Sequence, residues 1–248
     1  MRVIKCLILI ASIVLSFTGI CHCAETGGHK YALVYNGKYG DRDSAESLAG
    51  IAERSGFKTI FFSNAASMAG KLGNAKMVII GGTQDELGPF IRSFTPEITK
   101  KLKEFIAGGG IYLGICGGAY IASCGWEEDG KFVSALELVP FETDAYSSDP
   151  EPMVIDVMWK KKKRAIFYQF GPKFLPPASS NFEVTARYDD GAIAAFHMKS
   201  GKGALYLVGP HPEADESWIE DGVGNSDEWE STEDLADDMM KDALSYGE

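Results

Sequence analysis

The stretch Gly110-Ile111-Tyr112-Leu113-Gly114-Ile115-Cys116-Gly117-Gly118-Ala119-Tyr120 decides how the chain is read. Ile111 to Ile115 is an apolar run of strand length, and it breaks at a cysteine set among glycines. Residues 117 to 124 then read as helix. A nucleophile elbow needs this strand–turn–helix order and tolerates no side-chain bulk beside the reactive residue. Gly114, Gly117 and Gly118 meet that need, so Cys116 reads as a nucleophile; the alternative is a small core residue.

Upstream of the elbow, strand and helix alternate. Tyr31 to Tyr35 is a short apolar strand ending in Asn36-Gly37. Ser44 to Arg54 places Ala45, Leu48, Ala49, Ile51 and Ala52 at helical spacing, and Gly56 stops it. Phe57 to Phe62 and Ala75 to Ile80 read as the next two strands, the second ending in Gly81-Gly82. Thr95-Pro96-Glu97 opens a helix with an N-cap and a proline in its first position. The pattern predicts an α/β fold, a mostly parallel sheet with helices on both faces and reactive groups at the carboxyl ends of its strands.

Beyond about residue 130 the chain turns β-rich. Pro152 to Trp159 and Ala165 to Phe170 flank Lys160-Lys161-Lys162-Lys163-Arg164, which reads as a solvated hairpin turn. Phe182 to Tyr188, Ala192 to Met198 and Ala204 to Val208 are further strands. The last of them leads into Gly209-Pro210-His211-Pro212-Glu213. In extended backbone, residues two apart face one side, so Glu213 is placed to hold the distal nitrogen of His211. Thiol, base and orienting acid make a constellation for attack on an amide or ester carbonyl.

The N-terminus is of another kind. A basic start, Met1 to Lys5, precedes an almost wholly apolar run from Cys6 to Ile20 and the small residues up to Ala24. This reads as a secretory signal peptide over residues 1–24, with a retained membrane anchor as the alternative and lipidation at Cys21 or Cys23 ranked lower. The expected mature chain, 25–248, is a single domain with an acidic tail, exported to the periplasm or beyond. Removing Arg2 and Lys5 leaves 22 basic residues against 35 acidic, a net of −13. That charge repels phosphate, so no nucleic-acid partner is expected, and no membrane association after cleavage. Fourteen acidic residues and one lysine lie from Glu213 onward, read as a solvated tail with one amphipathic helix near Glu233 to Leu244.

Two cysteines remain in the mature chain. If residues 117 to 124 are helical, Cys116 and Cys124 stand about 10 Å or more apart at a rise of 1.5 Å per residue. A disulfide needs α-carbons within about 7 Å, so Cys116 is expected free and Cys124 buried and inert. No His or Cys spacing suggests a metal, and no glycine pattern after the first strand suggests a nucleotide; neither metal nor cofactor is expected.

The elbow with His211-Pro212-Glu213 resembles the class I glutamine amidotransferase-like superfamily. The chain looks most like the domain found at the N-terminus of fungal biotin-protein ligases. The resemblance spans most of residues 30 to 213 and implies a flavodoxin-like fold with catalytic Cys116, His211 and Glu213. It further implies an oxyanion hole from the Gly82 and Gly117 amides, and a substrate pocket shaped by Gly81, Tyr120 and Tyr168. No segment reads as a synthase or biotin-ligase catalytic domain, so neither ammonia delivery nor biotinylation is carried over. The expected activity is that of an amidohydrolase or amidotransferase-like enzyme on a small-molecule or peptide amide. A non-catalytic binding module and a cysteine peptidase of the same fold are the alternatives.

Overall fold

Residues 31–84, 87–220 and 222–245 are described by the computed structural model. The expected signal peptide, 1–24, lies outside them. Among the described residues no helix is long and apolar enough to cross a membrane.

Strands β1 (Tyr31–Tyr35), β2 (Lys58–Phe62), β3 (Ala75–Ile80) and β4 (Ile111–Ile115) run parallel. Between them lie helices α1 (Arg42–Arg54), α2 (Ala65–Ala69), α3 (Leu87–Ser93) and α4 (Pro96–Ala107). Side chains cap these helices as the sequence suggests. Thr95 Oγ1 accepts from the Ile98 amide at 3.3 Å, with Pro96 in the first turn, and Asp41 accepts from the Ser44 amide at 2.8 Å. The elbow helix α5 spans Gly117–Ala122.

The β-rich half follows as β5 (Gly125–Glu128), β6 (Lys131–Ser134), β7 (Glu142–Ala145), β8 (Met153–Trp159), β9 (Lys162–Tyr168), β10 (Pro172–Leu175), β11 (Glu183–Tyr188), β12 (Ile193–Ser200) and β13 (Gly203–Val208). Strand β13 returns to pair in parallel with β4, placing Val208 opposite Ile115. The parallel half therefore reads β2-β1-β3-β4-β13, a flavodoxin-like order. On the far side of β13 the same sheet continues through antiparallel β12 and β10 to β7, β5 and β6, while β11 branches from β12 to the β8–β9 hairpin.

Two apolar layers sandwich the parallel half. One face packs Val34, Ile79, Leu113 and Tyr206 against α1 and a C-terminal helix α6 (Glu233–Ser245). The other packs Leu33, Val78, Tyr112 and Leu205 against α2, α4 and α5. Every residue of β4 and β13 is buried, which is what a central parallel strand covered on both faces requires.

Three local expectations are corrected. The basic run is not one turn: only Lys160 and Lys161 make it, both at positive φ (45° and 72°), while Lys162 to Arg164 belong to β9. It is not merely solvated either, nor is the acidic tail. Lys160 Nζ meets Asp238 and Asp242 at 2.9 and 2.8 Å, and Arg164 meets Asp234 at 2.6 Å and Glu230 at 3.0 Å. Cys124 is half-buried, because α5 ends at Ala122 and leaves it in the connection to β5. Both Cys116 and Cys124 are free thiols.

Candidate active site

Cys116 occupies the step between β4 and α5 with φ 50° and ψ −109°, a conformation an L-residue adopts only under constraint. Three contacts impose it. The Cys116 amide donates to the Val208 carbonyl at 2.9 Å, and its own carbonyl accepts from the Ala119 and Tyr120 amides at 2.9 and 3.0 Å. The neighbouring glycines let the turn nest. A Cβ on Gly118 would overlap the Ile80 carbonyl, and one on Gly117 would overlap the Thr83 side chain. The thiol is 8% exposed, and its S–H points at the Gln169 carbonyl, 3.6 Å away.

His211 reaches this point because β13 lies beside β4. Its amide donates to the Phe167 carbonyl at 2.9 Å, which holds the loop after β13 against β9. Phe167 and Trp218 pack their rings around the imidazole, with centroids 5.8 and 5.4 Å away. Nδ1 sits 2.9 Å from Oε1 of Glu213, whose side chain is wholly buried. With Nδ1 engaged, Nε2 is the nitrogen left for the thiol. Burial acts to lower the His211 pKa, but the Glu213 carboxylate and the Cys116 sulfur oppose it. The balance leaves the imidazole well above the ordinary histidine value. Sulfur, imidazole and carboxylate, spread over 98 residues of chain, share one rim of the sheet.

A fourth member was absent from the sequence reading. Ser44, fully buried in the first turn of α1, donates its hydroxyl to Glu213 Oε1 at 2.6 Å. Ser44 Oγ itself accepts from the Gly82 amide at 2.9 Å. A serine inside a helical pattern carries no signal for a partner 169 positions away, and only the tertiary packing that sets α1 beside the loop after β13 shows it.

That bond corrects the expected oxyanion hole. The Gly82 amide is taken by Ser44, so it presents no free donor to the cleft. Gly82 instead keeps bulk away from the imidazole, whose Cε1 would lie 3.2 Å from a Cβ there. Thr83, the next residue, lines the cleft together with Gly117. Among the described residues, neither of their amides donates to another protein group.

The expected substrate residues divide. Tyr120 lines the cleft, and its hydroxyl donates to the Phe170 carbonyl at 3.2 Å. Gly81 does not line it: its carbonyl accepts from the Gly118 amide at 3.0 Å, and a Cβ would overlap Ser44. Tyr168 does not either. Fully buried, it donates to the Gly171 carbonyl and accepts from the Ser147 amide, tying two loops together. Its neighbours Gln169 and Phe170 form the lip of the cleft. Side chains alternate along an extended strand, and the sequence did not show which of these faced out.

The cleft holds about 1330 Å³, with Cys116 and His211 in its wall. The 2-1-3-4 parallel order, with the elbow at the carboxyl end of its fourth strand, gives the chain a glutamine amidotransferase-like fold. Residues 71–136, from the approach to β3 through the elbow, match the family model described as biotin-protein ligase, N terminal. The chain is 29% identical over 163 residues to a biotin–protein ligase of Schizosaccharomyces pombe, which covers 56% of this chain and 25% of the ligase. It thus spans about a quarter of that relative's length. Among solved structures, a glutamine amidotransferase from Thermotoga maritima superposes with a TM-score of 0.57 at 13% identity, over 88% of this chain and 98% of the other. A second glutamine amidotransferase gives 0.55 at 14% identity, over 73% and 90%. At such identity the likeness is one of fold.

Proposed function

We propose that this protein is an exported amidohydrolase or amidotransferase-like enzyme that cleaves a peptide-type amide through a thioester on Cys116. The observation that carries the reading is the unbroken chain from Ser44 through Glu213 to His211, ending beside a thiol held in a strained elbow. Export rests on the apolar leader read from the sequence.

The chemistry follows from the geometry. His211 takes the thiol proton, and the imidazolium formed is stabilised by Glu213, consistent with its raised proton affinity. The Cys116 sulfur adds to the amide carbonyl, and the Gly117 and Thr83 amides receive the oxyanion. The imidazolium gives its proton to the leaving nitrogen as the carbon–nitrogen bond breaks, leaving a thioester. Water then adds, delivering its proton to His211, and the carbon–sulfur bond breaks to release the acid and restore the thiol. An amine in place of water gives transfer in place of hydrolysis. The cleft exceeds the roughly 300–1,000 Å³ usual for small ligands, which favours a peptide over a free amino-acid amide.

The second reading, a binding module that keeps the fold, draws support from the low exposure of the sulfur and its contact with Gln169. Iodoacetamide labelling followed by peptide mapping separates the two. The enzyme reading expects Cys116 to label faster than the more exposed Cys124, and His211→Gln to slow Cys116 on the order of 10-fold with Cys124 as internal reference. Equal, slow labelling of both thiols that ignores the substitution favours the binding module.

A further inference from the structure

Apart from His211, which is buried against Glu213, the charged side chains lining the cleft are all acidic. Asp41 and Asp43 at the start of α1, Glu127 and Glu128 on β5, Asp144 on β7 and Glu220 after β13 all line it. Among the described residues, no lysine or arginine does. Two of the six are accounted for inside the protein: Asp41 caps α1, and Asp144 pairs with Lys173 at 3.0 Å. The other four, Asp43, Glu127, Glu128 and Glu220, are exposed and form no ion pair among the described residues. They come from three separate segments, so no single helix cap or hairpin explains them.

On two helices away from the cleft the acids are paired. The carboxylates of α6 meet Arg54, Lys160 and Arg164, and those of α4 meet Lys100 and Lys101. Other carboxylates stay unpaired elsewhere, Asp129, Asp189 and Asp227 among them; what sets the cleft apart is that acids from several segments face one space whose lining, among the described residues, holds no lysine or arginine. The carboxylates do not converge on a point: no group of three or more His, Cys, Asp or Glu among the described residues is arranged to hold a metal. A dispersed set suits an extended organic cation. Aromatic rings share the wall: Trp126, Phe167 and Tyr120 are buried in it, while Trp218 is partly exposed, and an ammonium or guanidinium group rests favourably against such a ring. Phe170 completes the rim, 46% exposed and held at φ 52°, which is unusual for a bulky side chain.

We infer that the cleft selects cationic substrates: peptides or amides with lysine, arginine or other amine-bearing groups flanking the bond presented to Cys116. This rests on the reading of Cys116 as the reactive thiol and names what approaches it. A cleft of one sign between low-dielectric walls raises the local concentration of the opposite sign, by roughly 10- to 1000-fold in on-rate, and salt removes the effect.

The test compares three methanethiosulfonate reagents on the folded chain: trimethylammonioethyl (cationic), sulfonatoethyl (anionic) and methyl (uncharged), each mapped to Cys116. At low ionic strength the cationic reagent is expected to exceed the anionic by about 10-fold or more after normalisation to intrinsic reactivity, and 1 M salt should bring the ratio toward unity. The protein is acidic throughout, so net charge needs a control. Asp43→Asn/Glu127→Gln/Glu128→Gln/Glu220→Gln should lose most of the preference. A variant with the same charge change outside the cleft, Glu53→Gln/Glu97→Gln/Glu104→Gln/Asp189→Asn, should keep it. Equal loss in both variants, or no preference at the start, overturns the inference while leaving Cys116 as a nucleophile. Inertness of Cys116 to all three reagents ends the catalytic reading and this one with it.

Discussion

Ser44 shows what one hydroxyl does when it is buried between two functional groups. It donates to the Glu213 carboxylate that holds His211 and accepts from the Gly82 amide, which would otherwise face the cleft. The Gly81–Gly82 loop and the His211–Glu213 pair are thereby held in one register. Replacing Ser44 with alanine leaves the Gly82 amide without its acceptor and removes a donor from Glu213, a cost of about 1–3 kcal/mol. If Ser44 positions the base, Ser44→Ala also slows Cys116 alkylation by roughly 10- to 100-fold, the usual effect of slight misplacement, and alters its pH profile. A variant that melts earlier but alkylates with the wild-type profile makes Ser44 a packing residue only. No sequence pattern exposes such a residue. Cys116 and His211 were legible because glycines and prolines around them are costly unless a turn demands them, whereas Ser44 looks like any serine near a helix start.

Among the elements, α6 was legible as an amphipathic helix but not as part of the core. Its apolar stripe, Leu235, Met239, Met240 and Ala243, is fully covered, and its acids grip Arg54, Lys160 and Arg164. Arg164 ties strand β9 to the tail, with both terminal nitrogens on Asp234, Nε on Glu230 and a bond to the Ser231 carbonyl. Its head is largely covered while its partners are exposed, so screening reduces the pair to about 1 kcal/mol. Arg164→Ala is expected to cost that much, and Met240→Ala about 2–4 kcal/mol by emptying a core position. A tail that is only solvated would yield no loss of melting temperature from either change. The short strands β5, β6, β7 and β10 were not legible at all. Glu142–Ala145 has the composition of a loop, and it becomes a strand only because Lys173 and its neighbours pair with it.

At the scale of the whole molecule, the site exists because a distant strand returns. Strand β13 enters the sheet beside β4 after nine intervening elements, and only that pairing brings Val208, and hence His211, to the level of Cys116. The expected parallel core thus implied where a site would lie, while its far wall came from the β-rich half, whose order no local pattern encodes. Binding at the thiol bridges these two halves of the chain and should stabilise both against unfolding as one unit. A peptide aldehyde with a flanking lysine adds reversibly to a reactive cysteine. At about 100 times its dissociation constant it contributes about 2.7 kcal/mol, enough to raise the melting temperature by several degrees. Cys116→Ser should abolish most of the rise while leaving the unliganded transition near that of the wild type. Cys124→Ser should preserve it. A shift that persists without the Cys116 sulfur would mean that the cleft holds peptides without covalent capture, and the amide chemistry would lose its nucleophile.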